Sequence, residues 1–374
     1  MPHRPDAPPR SRASWVARVD QQEEKAMSVE KRPLGVTGMD ITTLGLGTWA
    51  LGGPDWLYGW SSQDDRESIA TIRRSLHAGV NWIDTAAVYG LGHSEEVIGE
   101  ALSGIPGRER PFVFTKCGLV GNAKEPFRAP QRTMRADSVR REVEESLRRL
   151  RVDHIDLYQV HQPDDGERDE WQERTVPPEG VPVEEYWQTM ADLKAEGKVR
   201  AIGLSNHSVQ ELDRAEKVAH VDAIQPPLSP IRREAAPEIE WAAARGTGVI
   251  TYQALYSGLL SGAFSPQRVE SLPDDDWRRT DPEFTVHLPG NLAVAETLRS
   301  IAAAHGVPVP AVAIAWVLAW PGVTGAIVGA RRPGQLGGLL AADGLGLSEA
   351  DLRRIAATIE EFGVGIGPLR PPAG

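Results

Sequence analysis

GVNWIDTAAVYGLGHSEEVIGEAL, Gly79 to Leu102, changes character halfway along. NWIDTA is a short apolar run entered from Gly79-Val80, the pattern of a strand buried on both faces. SEEVIGEAL follows with an acidic first turn and apolar residues at Val97, Ile98 and Ala101, a helical stripe with Ser94 as the expected N-cap. One strand passing directly into one helix is half of a βαβ unit, and the question is how often it repeats.

It repeats along nearly the whole chain. Upstream, LGLGTWAL (Leu44 to Leu51) reads as the first strand and Asp64 to Ala78 as a helix with apolar residues at Ile69, Ile72 and Leu76. Downstream, the strands are FVFTK, HIDLYQVH, VRAIGLSN, DAIQP, GVITYQA and GAIVGA. The helices between them are DSVRREVEESLRRL with Asp137 as N-cap, Val183 to Glu196, Val209 to Val218, Ala235 to Arg245, Asn291 to His305 and Pro310 to Trp320. A last helix runs from Ser348 to Phe362. Eight strands alternating with helices predict an α/β protein, a (β/α)8 TIM barrel. Ahead of it, RPLGVTGMDITTLG with its Thr-Gly turn predicts an N-terminal β-hairpin. A doubly wound sheet is disfavoured because no strand runs into a Gly-x-Gly-x-x-Gly turn. Residues 1–30, rich in Pro, Arg and acids, read as a disordered extension. Residues 31–374 then form a single domain. Pro163 to Pro182 is an acidic loop containing Trp171, and Gly258 to Pro289 is irregular.

Four chemically distinct side chains lie at strand ends: Asp84 in NWIDTA, Tyr89 just beyond it, Lys116 in FVFTK and His161 in HIDLYQVH. A barrel brings these ends to one face, and an acid, a phenol, an amine and an imidazole together make a proton-transfer site. A phenol ionises near ~10, and a neighbouring ammonium lowers that value. Lys116 is placed to supply the ammonium, Asp84 to hold it, and His161 to hydrogen-bond a carbonyl or to relay a proton to the phenol.

Bulk composition narrows the partners. The 374 residues carry a net charge of −11, which argues against nucleic acid or an anionic membrane. No apolar stretch approaches the ~18 residues of a membrane helix. The single cysteine, Cys117, excludes an intramolecular disulfide and suits a cytoplasmic location; it reads as a packing residue. The histidines are scattered without ligand spacing, so no metal site is expected.

The Gly79–Leu102 phrase, FVFTKCG, DHIDLYQVHQPD and GKVRAIGLSNHS together resemble the aldo-keto reductases over about Pro33 to Phe362. The resemblance implies a nicotinamide cofactor, a small-molecule carbonyl substrate and Asp84, Tyr89, Lys116 and His161 as catalytic residues, Tyr89 donating the proton. It also implies that Ser205, Asn206 and Gln225 hold the nicotinamide carboxamide and that Tyr252 stacks on its ring. ALYSGLLSG, with Gly258 and Leu259, resembles the loop over the pyrophosphate. GARRPGQLGG, with Gly329, Arg331 and Gln335, resembles the adenosine-phosphate segment, and Arg331 beside Arg332 favours NADP(H) over NAD(H). Two departures stand out: Gly338 and Leu339 replace an acid and an asparagine, and Gln253-Ala254 replaces Ser-Pro.

The same residues serve oxidation of an alcohol or sugar. They also suit a slow-turnover NADP(H)-binding subunit resembling potassium-channel β subunits. Substrate choice is expected from the loops. Trp49, Trp56, Tyr58 and Trp60 are candidates for an apolar wall; Lys124, Arg128, Arg132 and Arg135 could favour an anionic or phosphorylated substrate but read first as a solvated basic loop.

Overall fold

The structure is a computed structural model and describes residues 29–60, 62–164, 179–274 and 276–372. The expected extension lies outside it except for Val29, which is buried, and Glu30, whose N–H bonds the Asp343 carboxylate. Trp171 and its acidic surroundings lie outside the described residues.

The hairpin forms from β1 (Lys31–Pro33) and β2 (Asp40–Thr42), paired antiparallel. The barrel strands are β3 (Leu44–Gly47), β4 (Trp82–Asp84) and β5 (Phe112–Cys117). After a short antiparallel pair, β6 (Leu119–Val120) with β7 (Gln131–Arg132), they continue as β8 (Ile155–Val160), β9 (Val199–Ser205), β10 (Ala223–Gln225), β11 (Gly248–Thr251) and β12 (Gly325–Gly329). All eight barrel pairs are parallel, and β12 closes on β3, so the sheet has no edge. The order around the barrel is the order in the chain.

One end is plugged. Leu34, Met39 and Ile41 of the hairpin pack with Trp82, Phe114, Leu157 and Ile250 inside the barrel. Trp82 donates its indole N–H to the Thr42 carbonyl at 2.7 Å. Its ring occupies space that only a glycine at 45 leaves: a Cβ there would lie 2.1 Å from Trp82 Cε2. With that end filled by side chains, the strand C-termini are the open end.

Several local boundaries depart from expectation. The first strand stops at Gly47, and Trp49–Leu51 is a 3-10 turn that carries the chain out to the aromatic loop. The helix after β4 begins at His93 behind Gly92; Ser94 is no cap but turns inward, bonding Thr48 Oγ1 at 2.9 Å and Thr85 Oγ1 at 3.0 Å. Asp137 is not a cap either, because the helix Ala136–Leu150 starts one residue earlier, from Arg135. The segment expected to be irregular contains the short helix Pro266–Glu270, and the next helix starts at Leu288. Among the described residues no single helix is long and apolar enough to cross a membrane.

Candidate active site

Register sets the site. Gly47 pairs with Asp84, and Asp84 with Phe114; Lys116 pairs with Gln159, and Gln225 with Ser205. Equal strand heights therefore raise these side chains to one level at the open end. Lys116 Nζ donates to Asp84 Oδ1 at 2.5 Å and to the Thr85 carbonyl at 2.9 Å, and both side chains are almost completely buried. The ammonium lies 5.4 Å from the centroid of the Tyr89 ring. His161, immediately after β8, meets Tyr89 edge to face at 5.7 Å. Asp84, Tyr89 and His161 all line one cavity of about 900 Å³.

Burial governs the protonation states. It pushes the Tyr89 phenol well above its ordinary range, and Asp84 and Tyr252 push the same way. The expected lowering by Lys116 does not prevail: the ammonium lies beside Asp84, whose charge offsets its field. Burial also lowers the Lys116 ammonium, an effect that Asp84 opposes. The His161 imidazole is held well below its usual range, first by burial and then by Lys116. A neutral phenol and a neutral imidazole thus face the cavity, one able to give a proton and the other able to donate an N–H bond.

The second oxygen of Asp84 is held by amides. Gln225 Nε2 donates to Oδ2 at 2.8 Å and Gln159 Nε2 at 3.3 Å. Gln159 was missed in the sequence, although a polar residue inside the doubly buried strand IDLYQV is a readable signal.

The residues expected near the nicotinamide come together around the same wall. Ser205 Oγ donates to the Gln225 carbonyl at 2.9 Å, and Asn206 Nδ2 to the His161 carbonyl at 2.9 Å. The Tyr252 hydroxyl donates to Asn206 Oδ1 at 2.7 Å. Asn206 adopts φ +62°, a left-handed conformation that asparagine tolerates. Gln253 shares φ +62°, and Arg232 Nη1 bonds its Oε1 at 2.8 Å, so the Gln253-Ala254 departure has its own anchor.

Farther along, Gly258 and Arg278 line the cavity. Leu259 does not: its side chain is core, and its N–H bonds the Tyr256 carbonyl at 3.0 Å. Gly329, Arg331, Gln335, Gly338 and Leu339 line the cavity too. Gln335 Oε1 accepts from the Arg331 N–H at 2.8 Å and the Arg332 N–H at 3.1 Å, fixing the backbone beneath both arginines. The Arg331 guanidinium bonds Gln63 Oε1 at 2.9 Å and the Ser62 carbonyl at 2.6 Å.

Trp49, Trp56, Tyr58 and Trp60 all line the cavity beside Tyr89. Trp49 lies nearly parallel to Tyr89 at 6.3 Å and to Trp277 at 6.2 Å. Trp277 and Arg278 come from a stretch without periodicity, and nothing in the sequence signalled them. Arg278 lies 4.9 Å from the Trp60 ring centroid and pairs with Asp276. Arg132, expected in a solvated loop, is fully buried and donates to the Pro163 carbonyl at 3.0 Å, since β7 carries it inward.

Glu142 anchors the turn beyond Lys116, accepting from the Gly118 N–H at 3.0 Å. Burial raises its carboxyl from 4.5 to about 7. A raised acid costs stability as pH climbs from its unfolded to its folded value, and the full cost stands above the latter. Glu142→Gln keeps an acceptor for Gly118 and removes the charge. It should raise stability by roughly 1–3 kcal/mol at pH 8 and leave it nearly unchanged at pH 4.5. Thermal melts at both pH values check this; equal changes at both would rule out the buried charge as the cause.

The model of the aldo/keto reductase family matches residues 43–360. Aldo-keto reductase YhdN of Bacillus subtilis is 35% identical over 350 residues, covering 92% of this chain and 98% of the relative. The NADH-specific methylglyoxal reductase of Escherichia coli is 32% identical over 346 residues, covering 89% of this chain and 100% of the relative. Among solved structures, the glycerol dehydrogenase AKR11B4 from Gluconobacter oxydans superimposes with a TM-score of 0.76 at 34% identity, covering 94% of this chain and 99% of that one.

Proposed function

The chain belongs to the aldo/keto reductase family and is an oxidoreductase, and from that premise we propose that it reduces an aldehyde or ketone with NADP(H), Tyr89 donating the proton. The observation that carries this reading is the Asp84–Lys116 pair set behind Tyr89, with His161 edge-on to the same ring.

The donor set suits a nicotinamide dinucleotide. Amide groups of Asn206 and Gln225, the Tyr252 ring, Arg331 and Gln335 all line the one cavity. When bound, the cofactor supplies the hydride. The residues do the rest. His161, neutral through burial, donates an N–H bond to the carbonyl oxygen and orients it. Tyr89, kept protonated by its surroundings, gives the proton as negative charge develops on that oxygen. Lys116 stabilises the resulting phenolate, and Asp84 keeps the lysine charged despite its burial. The aromatic wall of Trp49, Trp56 and Trp60 excludes water and favours flat or apolar substrates.

NADP(H) is favoured because Arg331, whose guanidinium is held by donating to Gln63 Oε1 and the Ser62 carbonyl, lines the cavity and suits the two added charges of a 2′-phosphate. Arg331→Ala should weaken NADPH by roughly 10- to 100-fold, as loss of a charged hydrogen bond implies, and change NADH less than about threefold. Fluorescence titration with both cofactors measures this, alongside oxidation of NADPH with a panel of aldehydes, ketones and sugars. Equal losses would remove the phosphate-reading role. Binding without turnover on the whole panel would instead favour a cofactor-binding subunit.

A further inference from the structure

Asp84, Gln159 and Gln225 close a ring of hydrogen bonds. Gln225 Nε2 gives one proton to Asp84 Oδ2 at 2.8 Å and the other to Gln159 Oε1 at 3.0 Å. Gln159 Nε2 returns to Asp84 Oδ2 at 3.3 Å. Gln159 is fully buried and Gln225 nearly so, yet Gln225 and Asp84 line the cavity while Gln159 does not. The room for Gln159 comes from Gly203 on the neighbouring strand β9: a Cβ there would lie 3.1 Å from Gln159 Cγ. An uncharged amide, in a strand that is otherwise apolar toward the barrel, thus supports both a catalytic carboxylate and a cofactor-facing amide.

The ring dictates which way Gln225 faces. A carboxylate accepts only, and the Gln159 amide oxygen also accepts only. Gln225 must therefore turn its NH2 toward both, and its oxygen is left for the cavity. That oxygen suits the N–H of a carboxamide and repels a carboxylate. We propose that Gln159 is a positioning residue that locks the Gln225 amide as a carboxamide reader and ties it to Asp84, so that recognition of the cofactor head and the Asp84–Lys116 pair form one unit. This rests on the nicotinamide-dependent reading above, and it concerns binding as well as turnover.

Gln159→Met keeps the volume and removes both amide functions. The probes are NADPH and its nicotinic-acid analogue, in which a carboxylate replaces the carboxamide, each titrated by protein fluorescence. The parent should prefer NADPH strongly. In the variant NADPH should weaken by about tenfold, the effect of a lost buried hydrogen bond, while the analogue weakens little or gains, so that the discrimination narrows. Reduction of a good substrate should lose kcat with KM for the carbonyl nearly unchanged, and the pH profile of kcat should shift because the Asp84–Lys116 pair beside Tyr89 loses one of its supports. A merely structural residue would lower the melting temperature and weaken both ligands equally. Equal weakening, or unchanged discrimination with an unchanged pH profile, overturns the proposal. A parent that discriminates but reduces no carbonyl leaves the positioning role standing and removes the reductase reading instead.

Discussion

Tyr89→Phe should lose carbonyl reduction by roughly 10²- to 10⁴-fold in kcat/KM, the contribution of a positioned general acid. The cavity keeps its shape, because the ring and its contacts with Trp49, Trp56 and His161 remain. NADPH affinity and melting temperature should therefore stay close to those of the parent. The parent's reduction rate should also hold steady as pH rises towards ~10, where an ordinary phenol would ionise, because burial keeps Tyr89 protonated there. A Phe variant that turns over at the parental rate would show that another group delivers the proton.

Lys116→Met should have the second-largest effect, and on stability as well as rate. Asp84 and Lys116 are both almost completely buried, so removing the ammonium leaves a buried carboxylate held by the amides of Gln159 and Gln225. Breaking a buried pair from one side costs roughly 3–5 kcal/mol. Adding Asp84→Asn should recover a large part of that loss, since no unpaired charge then remains. Denaturant unfolding of both single variants and the double variant tests the cycle. A loss below about 1 kcal/mol for Lys116→Met would mean that the pair carries little of the desolvation described here.

Much of this architecture could be read along the chain. Strands such as NWIDTA and FVFTK are buried on both faces, so each is a continuous apolar run that periodicity detects, and the helices between them carry clear stripes. The ends of those runs put Asp84, Tyr89, Lys116 and His161 at one level, and the cavity gathers all but the buried Lys116 along its wall. Ser94 and Asp137 misled as caps for a physical reason. Cap preference is a local tendency worth about 1 kcal/mol, and in Ser94 it yields to a buried hydroxyl network with Thr48 and Thr85.

Other features follow only from the chain's return on itself. Gln159 bonds residues 75 and 66 positions away, so no window of sequence contains the ring that gives it meaning. Trp277 and Arg278 lie in a stretch with no period, yet they meet Trp49 and Trp60 of the first loop. The rise in the Tyr89 phenol could not be foreseen from the nearness of a lysine. Its sign depends on how deeply the ring is buried and on whether Asp84 already offsets the ammonium.

Residue order, then, carries the alternation of strand and helix and the identity of the groups at the strand ends, because both are local. The closed barrel decides which amide meets which carboxylate and which arginine meets which ring. It also decides which charges lose their water, because desolvation and hydrogen-bond partnership belong to the packed interior rather than to neighbours in sequence.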